Sequence, residues 1–240
     1  MYHISVMPTV NDASVDELAG NTAIVIDVLR ATSTIITAMQ RGCSEVIPVE
    51  TVCQAKDMIR EGDLLAGERN GRKLPGFDLG NSPLEYRSLE LKDKRIIMTT
   101  TNGTRAIHKA TKASQVIAAC NLNAKAAAKH ALSIHKKIVI ICAGTNDRFS
   151  LEDGLCAGLI IDEMSTYTEG PRILIDFATA MKSAYLQAKD CFIEMNLNCR
   201  NGRRLVRVGK KEDVIYCSQR NISNLVPVLT QHTLKAKVLK

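Results

Sequence analysis

Acidic side chains recur where predicted strands end and polar loops begin. Asp27 closes the apolar run over residues 23–28, and Glu68 follows the apolar run over residues 64–66. In open α/β sheets, ligand-binding groups gather at the carboxyl ends of the strands. Carboxylates there suit Mg²⁺, which takes a few acidic ligands together with waters and a phosphate of the bound molecule. Zn²⁺ is disfavoured because the histidines have no ligand spacing with the cysteines. The acids at such positions are Asp27, Glu68, Asp78, Asp147, Glu152 and Asp153.

Two hydroxyl-rich turns could bind a phosphate or a similar oxyanion. Arg30–Thr34 follows the first of these runs, and Thr99–Thr104 follows another apolar run over residues 95–98. Backbone amides and the positive end of the helix dipole hold oxyanions at strand-to-helix turns of this kind. Arg30 and Arg105 could add fixed positive charge. Ordinary helix caps are the alternative interpretation, but two such turns at matching places favour anion binding.

The segment Leu65–Pro83 carries glycines, charges and amides at a density that an ordinary loop does not need. Its glycines and prolines predict repeated turns that exclude helix and strand. We therefore expect an active-site loop, with a glycine-rich surface excursion as the alternative. A comparable loop over residues 144–154 places the expected site between the two loops. Glu68, directly after Gly67, is a stronger candidate than Asp78, which lies further out and could only brace the loop.

The common catalytic sequence signatures are absent from this chain. It has no G-x-x-x-x-G-K-[ST], G-x-G-x-x-G, G-x-S-x-G or H-E-x-x-H motif. The stretch Asp27-Val28-Leu29 also lacks the second acid of a paired Asp-x-Asp. Two kinds of phosphoryl chemistry stay open. Asp27 could attack phosphorus and form a covalent intermediate, or a carboxylate could activate a metal-bound water, which we favour.

The elements that must position these residues follow an α/β pattern. The chain has 240 residues with 45% hydrophobic and only 4% aromatic content, which favours helices layered on a sheet. Two short sequence matches predict a tandem repeat. Each of its two units has the order strand, turn, helix, strand, helix, strand. Ser44–Ile47 matches Ser114–Ile117, and Ala66–Gly67 matches Ala143–Gly144. Common βαβ syntax without shared ancestry is the alternative explanation.

The last third of the chain is predicted to be mainly helical. We expect one long helix over residues 173–196, further helical pieces over 203–208 and 212–217, and a final strand over 226–229. The whole chain, residues 1–240, is predicted to be one catalytic domain. It could consist of two lobes over about 1–90 and 91–240.

Charge and cysteine usage restrict the partners. The formal net charge is +7, and much of the excess lies in the last third, where almost no aromatic residues are interleaved. A small anionic substrate is therefore favoured over nucleic acid, and the basic face is expected to be solvated. The eight cysteines form no C-x-x-C pair, and no apolar run reaches the length of a membrane span. We expect reduced thiols, a cytoplasmic location and no membrane partner.

Taken together, these motifs resemble the 2-phosphosulfolactate phosphatase family of Mg²⁺-dependent enzymes of coenzyme M biosynthesis. The resemblance covers almost the full length of the chain. It implies hydrolysis of (2R)-2-phospho-3-sulfolactate, or of a related 2-hydroxy acid phosphate, to 3-sulfolactate and phosphate, with Mg²⁺ as cofactor. The residues that carry it are Ile26–Thr34, Gly67–Gly71, Gly76–Pro83, Thr99–Thr104, Cys142–Gly144 and Leu151–Asp153.

The resemblance also implies roles for individual residues. Asp27, Glu68 and Asp153 would hold the metal or activate water, and Arg30 would act with them on the phosphate. The expected substrate-binding residues are Arg69, Asn81, Thr100, Thr101, Asn102, Gly103, Thr104 and Arg148. Within that set, Arg69 or Arg148 would meet the carboxylate or sulfonate. We expect a homodimer, and the alternative function is a non-catalytic module that binds a phosphorylated metabolite.

Overall fold

Strands and helices alternate along most of the chain, in agreement with the predicted α/β class. The computed structural model describes residues 1–167 and 172–238. The strands are β1 (Tyr2–Met7), β2 (Thr22–Ile26), β3 (Glu45–Pro48), β4 (Leu64–Arg69), β5 (Arg72–Lys73), β6 (Arg95–Thr99), β7 (Gln115–Ala119), β8 (Lys137–Cys142), β9 (Arg172–Leu174), β10 (Leu225–Thr230) and β11 (Thr233–Val238).

Helices connect these strands. None in the described residues is long and apolar enough to cross a membrane. The helices are α1 (Val15–Leu18), α2 (Ala31–Gln40), α3 (Val52–Met58), α4 (Pro83–Arg87), α5 (Gly103–Ala110), α6 (Ala124–Ile134), α7 (Leu151–Tyr167), α8 (Asp176–Ala188), α9 (Phe192–Asn198), α10 (Arg200–Arg207) and α11 (Lys211–Cys217).

The strands of the described residues form one sheet in the order β5-β4-β6-β3-β11-β10-β7-β2-β8-β1-β9. The two predicted repeat units interleave in it. The first strand of each unit lies between the second and third strands of the other, with β2 between β7 and β8 and β6 between β3 and β4. Strands β4, β6 and β3 form one parallel half-sheet, and β7, β2 and β8 form the other, so each half-sheet contains strands of both units. The turns that follow β2 and β6 therefore lie beside strands of the opposite unit.

The two sequence matches behind the repeat differ in outcome. Ser44 N–H donates to Lys94 O (2.8 Å) and Ser114 N–H donates to Asn21 O (3.0 Å), each acceptor preceding a first strand, so this match is confirmed. Ala66 of β4 pairs with Met98 of β6. When the two units are aligned on the serine match, the residue of β8 that corresponds to Ala66 is Ile141, which pairs with β2. The Ala-Gly match is therefore offset by two residues and is wrong.

A C-terminal hairpin joins the two half-sheets. The sequence predicted only a final strand, but β10 turns back into β11. Val228 pairs antiparallel with Ile117 of β7, and Leu234 pairs antiparallel with Val46 of β3. The alternating lysines of β11 concealed a strand whose one fully buried side chain, Leu234, lies in the sheet centre.

Helices α2 and α5 lie in the hydrophobic layer shared by the two half-sheets. Alternate residues of β2 point to opposite sides. Ala23 and Val25 pack in this shared layer, while Ile24 and Ile26 pack with α6, α7 and α8. Helix α2 is buried along its whole length from Ala31 to Met39, as expected for an element covered on both sides. The shared layer fixes where the N-termini of α2 and α5 lie.

The predicted long helix over residues 173–196 is wrong. Residues 172–174 instead form β9, which pairs parallel with Tyr2–Ile4. Helices α8 and α9 follow, separated by residues 189–191. Phe177, Met181 and Tyr185 pack into one hydrophobic cluster, so the apolar spacing within α8 is helical, but residues 173 and 174 pair with β1 instead of extending that helix.

The prediction that Leu65–Pro83 excludes helix and strand is also wrong. Strand β4 runs to Arg69 and pairs antiparallel with β5, and α4 begins at Pro83. Asn70 and Gly71, at φ 55° and 79°, form the turn between the strands. An Asn-Gly pair is a strong hairpin signal, because both residues tolerate positive φ. The segment is thus a hairpin followed by a loop that leads into α4.

Candidate functional site

The N-termini of helices α2 and α5 meet at one place. A Cβ atom on Gly103, the first residue of α5, would lie 2.5 Å from Ala31 Cβ and 2.7 Å from Asp27 Oδ2. Ala31 is the first residue of α2. Only glycine allows this approach. Two positive helix ends are therefore directed at the same region, which favours negative charge there.

A polar pocket opens at this meeting point. It is lined by side chains from both repeat units and from the C-terminal third. The predicted residues on its wall are Asp27, Arg30, Glu68, Asn81, Thr101 and Asn102. Five further wall residues lie in segments expected near the site but were not assigned a role: Leu29, Asn70, Gly71, Thr145 and Asn146. Asn201 and Arg204 come from a segment that the sequence did not predict for the site.

Asp27 is a buried acid on the pocket wall. Its Oδ1 accepts the Ala31 N–H (3.2 Å). Burial is the largest cause that raises the pKa of Asp27 to about 7; the negative charges of Glu68 and Glu152 act in the same direction, while the Ala31 hydrogen bond and the Arg30 charge oppose it. Among the described residues, nothing donates a hydrogen bond to its Oδ2. The carboxyl group can therefore exchange a proton near neutral pH.

Glu68 links the β4–β5 hairpin to the turn after β6. Its Oε1 accepts the Thr101 N–H (2.8 Å) and hydroxyl (2.9 Å), and its Oε2 accepts the Gly71 N–H (2.6 Å). Gly67 lets β4 lie close to the end of β6, as these hydrogen bonds require, because a Cβ on Gly67 would lie 2.2 Å from Thr99 O. Glu68 and Asp27 thus share one pocket, as the sequence led us to expect.

Asp153 is close to the pocket but does not line it. Its Oδ1 accepts the Val28 N–H (2.9 Å) and its Oδ2 accepts the Gly144 N–H (3.1 Å). Burial, together with the charges of Glu152 and Asp27, raises the pKa of Asp153 well above its usual value. Asp153 thus binds the turn after β2 as Glu68 binds the turn after β6, each carboxylate accepting one backbone N–H from the opposite unit.

Arg30 is buried on the pocket wall and paired with an acid. Its Nη1 lies 2.5 Å from Asp213 Oδ2, and Asp213 Oδ1 accepts the Ser82 hydroxyl (2.7 Å). Helix α11 therefore fixes the guanidinium at the site. Because Asp213 cancels the charge of Arg30, this arginine brings geometry and hydrogen-bond donors without net positive charge.

Two of the predicted threonines cap each other behind the pocket. Thr104 N–H donates to Thr100 Oγ1 (3.1 Å) and Thr100 N–H donates to Thr104 Oγ1 (3.2 Å). Both side chains are buried. They shape the first turn of α5 and leave Thr101 and Asn102 as the residues of this turn on the pocket wall.

The predicted arginines Arg69 and Arg148 lie away from the pocket lining. Arg69 donates to Glu50 O (3.0 Å) and Thr99 Oγ1 (2.9 Å), beside the ends of β3 and β6. Arg148 is exposed in the turn before α7. Arg105, expected beside the phosphate turn, pairs with Asp147 at the surface.

The sequence did not predict that helix α10 contributes side chains to the pocket. Asn201 donates from Nδ2 to Leu29 O (3.1 Å) and Thr145 Oγ1 (3.2 Å), which fixes two loops of the pocket. Arg204 extends over Gly71 at the hairpin turn. The basic run 200–207 was interpreted as a solvated face. Leu205, buried within it, is the one sequence signal that this helix packs against the protein.

Part of the predicted metal-ligand set fits Mg²⁺. Within residues 1–167 and 172–238, no three or more His, Cys, Asp or Glu side chains form a group arranged for a metal. Asp153 does not line the pocket. Asp27 and Glu68 do line the pocket, and the buried Asn81 Oδ1 has no hydrogen-bond partner there. Two carboxylates and an amide oxygen suit Mg²⁺, which keeps several waters and binds substrate phosphate.

Comparison with known proteins decides the family. The family model described as 2-phosphosulpholactate phosphatase matches residues 8–232. The chain belongs to the 2-phosphosulpholactate phosphatase family. A probable 2-phosphosulfolactate phosphatase of Thermotoga maritima is 42% identical over 208 residues, covering 87% of this chain and 88% of the relative. Those so named from Clostridium novyi and Clostridium acetobutylicum are 38% and 37% identical, covering 93% and 95% of this chain and 95% and 97% of the relatives.

The match with this family includes the C-terminal part of the site. All the pocket residues named above, from Asp27 to Arg204, lie within residues 8–232. Helices α10 and α11 are thus part of the family's own segment, together with the two repeat units.

Proposed function

We propose that this chain is a Mg²⁺-dependent phosphatase that hydrolyses 2-phospho-3-sulfolactate, or a related 2-hydroxy acid phosphate, to the 2-hydroxy acid and phosphate. One observation carries the proposal: the buried acids Asp27 and Glu68 share a pocket with the converging N-termini of α2 and α5. Acids beside an anion-binding turn are the combination that phosphoryl transfer needs. Membership of the family and the names of the relatives support phosphatase activity on 2-phosphosulfolactate.

The phosphate would bind at the first turn of α5. Thr101 and Asn102 line the pocket there, and the orphan amides of a helix N-terminus favour an anion. Arg30, held by Asp213, would donate hydrogen bonds to the same group. Asp27 and Glu68 would repel it, so binding needs a cation between acids and phosphate. Glu68 and Asn81 would hold Mg²⁺ beside Asp27, and the ion would offset the charge of the phosphoryl oxygens.

Asp27 is the residue placed to accept the proton of the attacking water. Its Oδ1 is held by Ala31, while its Oδ2 faces the first residue of α5. In hydrolysis the water oxygen bonds to phosphorus, its proton passes to Asp27 Oδ2, and the bond from phosphorus to the C2 oxygen breaks. The leaving oxygen then takes up a proton.

A substrate panel tests the proposal. Phosphate release is measured for 2-phospho-3-sulfolactate, 2-phospholactate and 3-phosphoglycerate, each with Mg²⁺ and with a chelator. We expect Mg²⁺-dependent turnover of the 2-phosphorylated acids, fastest for the sulfonated one. Binding of these compounds without any turnover would contradict the enzyme and indicate a metabolite-binding module. Turnover that the chelator leaves unchanged would contradict the role of Mg²⁺.

A further inference from the structure

A basic groove continues from the pocket towards the surface. It has a volume of about 420 Å³ and shares Asn70, Gly71 and Arg204 with the pocket. Arg72, Lys73 and Lys210 also line it. The hairpin turn between β4 and β5 therefore separates two connected spaces, one with acids on its wall and one with cations.

Arg204 is the cation common to both spaces. Lys73 and Lys210 also border a neighbouring cavity that contains Glu85 and Glu212, so acids lie near these two lysines. Within the described residues, Arg204 makes no ion pair. Arg30, by contrast, is already neutralised by Asp213. Arg204 is thus the positive charge at the pocket that a ligand can use.

The position of Arg204 is set by the packing of α10. Leu205 is buried in the core, and Gly202 N–H donates to Cys199 Sγ (3.2 Å) at the start of the helix. A Cβ on Gly202 would lie 1.9 Å from Asn196 O, so α10 packs directly on the end of α9. The Arg204 Nη2 reaches to 3.2 Å from the position that a Cβ of Gly71 would occupy. The guanidinium therefore lies across the hairpin turn at the mouth of the pocket.

We infer that Arg204 binds the sulfonate of the substrate at this mouth and thereby selects for acids with a second strong anion on carbon 3. The inference rests on the proposed function. With the phosphate at the first turn of α5, the carboxylate is attached to C2 itself, whereas the sulfonate extends one atom further. It is the group that reaches the mouth. A planar guanidinium binds such an oxyanion through paired N–H donors.

Two arginines of the same helix allow a matched test. Arg204→Gln removes the charge at the mouth, and Arg203→Gln removes an exposed neighbouring charge that lines neither space. The substrates are 2-phospho-3-sulfolactate and 2-phospholactate, which differ only by the sulfonate. Arg204→Gln should lower kcat/KM on the sulfonated substrate by about 10- to 100-fold, mainly through KM, and by less than about 3-fold on 2-phospholactate. Arg204→Lys should restore part of the lost kcat/KM. Arg203→Gln should leave kcat/KM unchanged on both substrates.

Other outcomes overturn the inference. An equal loss on both substrates would mean that Arg204 only holds the hairpin turn, and no loss would mean that it does not touch the sulfonate. If the wild type hydrolyses neither substrate, the proposed function fails. Calorimetric binding of 3-sulfolactate and lactate then tests Arg204 independently. Preference of the wild type for 3-sulfolactate, lost in Arg204→Gln alone, supports the inference, and absence of that preference contradicts it.

Discussion

Glu68 contributes both a pocket acid and a structural link. Its carboxylate accepts three hydrogen bonds from Thr101 and Gly71, so it connects the hairpin turn to the start of α5. The sequence predicted that Asp27 and Glu68 would meet, since each follows a parallel strand. It could not predict where Asp153, Arg69 and Arg148 point, because side-chain direction depends on which backbone groups lie nearby.

Glu68→Gln should lower kcat/KM by about 100-fold or more, because it removes a charge from the pocket. The amide also directs an N–H₂ group at either Thr101 or Gly71, which are both donors, so the melting temperature should fall as well. Glu61→Gln, at an exposed acid, is the control. Phosphate-release kinetics and thermal unfolding measure the two effects. A fully active Glu68→Gln variant would contradict the assigned role.

Gly103→Ala should disrupt the meeting of the two helices. Alanine in place of glycine favours a helix by up to about 1 kcal/mol. The new Cβ, however, would contact Ala31 Cβ and Asp27 Oδ2 at 2.5 and 2.7 Å. We expect overpacking to prevail, with a loss of about 1–3 kcal/mol in the free energy of unfolding and reduced activity. Lys109→Ala on the exposed face of α5 is the control. A Gly103→Ala protein that is more stable and equally active would show that the helices are not in contact.

At the scale of elements, the strands and helices of the two units were predictable, whereas the C-terminal third was less so. Continuous apolar runs such as Ala23–Ile26 identify buried strands. The sequence predicts β10 but not β11, because Lys235 and Lys237 give β11 the composition of a polar tail. The Asn70–Gly71 turn was read as a loop although its two residue types favour a hairpin. Pairing partners far along the chain decide such cases.

Leu234→Ala should destabilise the protein by about 2–4 kcal/mol, because Leu234 is fully buried where the hairpin joins the half-sheets. Val238→Ala, at a side chain that is 65% exposed on the same strand, should change stability by less than about 0.5 kcal/mol. Chemical denaturation followed by circular dichroism compares them. Equal effects of the two variants would mean that the hairpin does not form part of the core.

At the scale of the whole molecule, the interleaved units place the turns of the candidate site beside each other. The sequence indicated two similar units, but it could not show that each lends its first strand to the other, since that exchange depends on pairing between distant segments. The half-sheets meet through the hairpin, and α2 and α5 fill the layer that they share. An ion pair between the starts of β4 and β6, which belong to different units, offers a separate test of this topology.

Asp63 and Arg95 join the starts of β4 and β6. Arg95 Nε lies 3.0 Å from Asp63 Oδ1, and Nη2 lies 2.5 Å from Oδ2. The hydrogen bonds and charge of Arg95 lower the pKa of Asp63. The stabilisation is thus present above the unfolded pKa of about 3.9 and is lost as the pH falls through the lower folded value.

Asp63→Asn should therefore cost about 1 kcal/mol of unfolding free energy at pH 7, and the difference from wild type should shrink as the pH falls below about 4. Glu90→Gln removes an exposed pair, 4.0 Å long, with Arg41 and should have little effect. Urea unfolding across this pH range measures both. A cost for Asp63→Asn that stays constant with pH would contradict the assigned charge interaction.

The most direct test of the proposed site is the initial rate of phosphate release from 2-phospho-3-sulfolactate with Mg²⁺, for the wild type and for Asp27→Asn. Asparagine keeps the oxygen that accepts the Ala31 N–H, so the fold should persist with a similar melting temperature. We expect Mg²⁺-dependent turnover by the wild type and a loss of at least about 100-fold in the variant. Undiminished turnover by a folded Asp27→Asn protein would contradict the account.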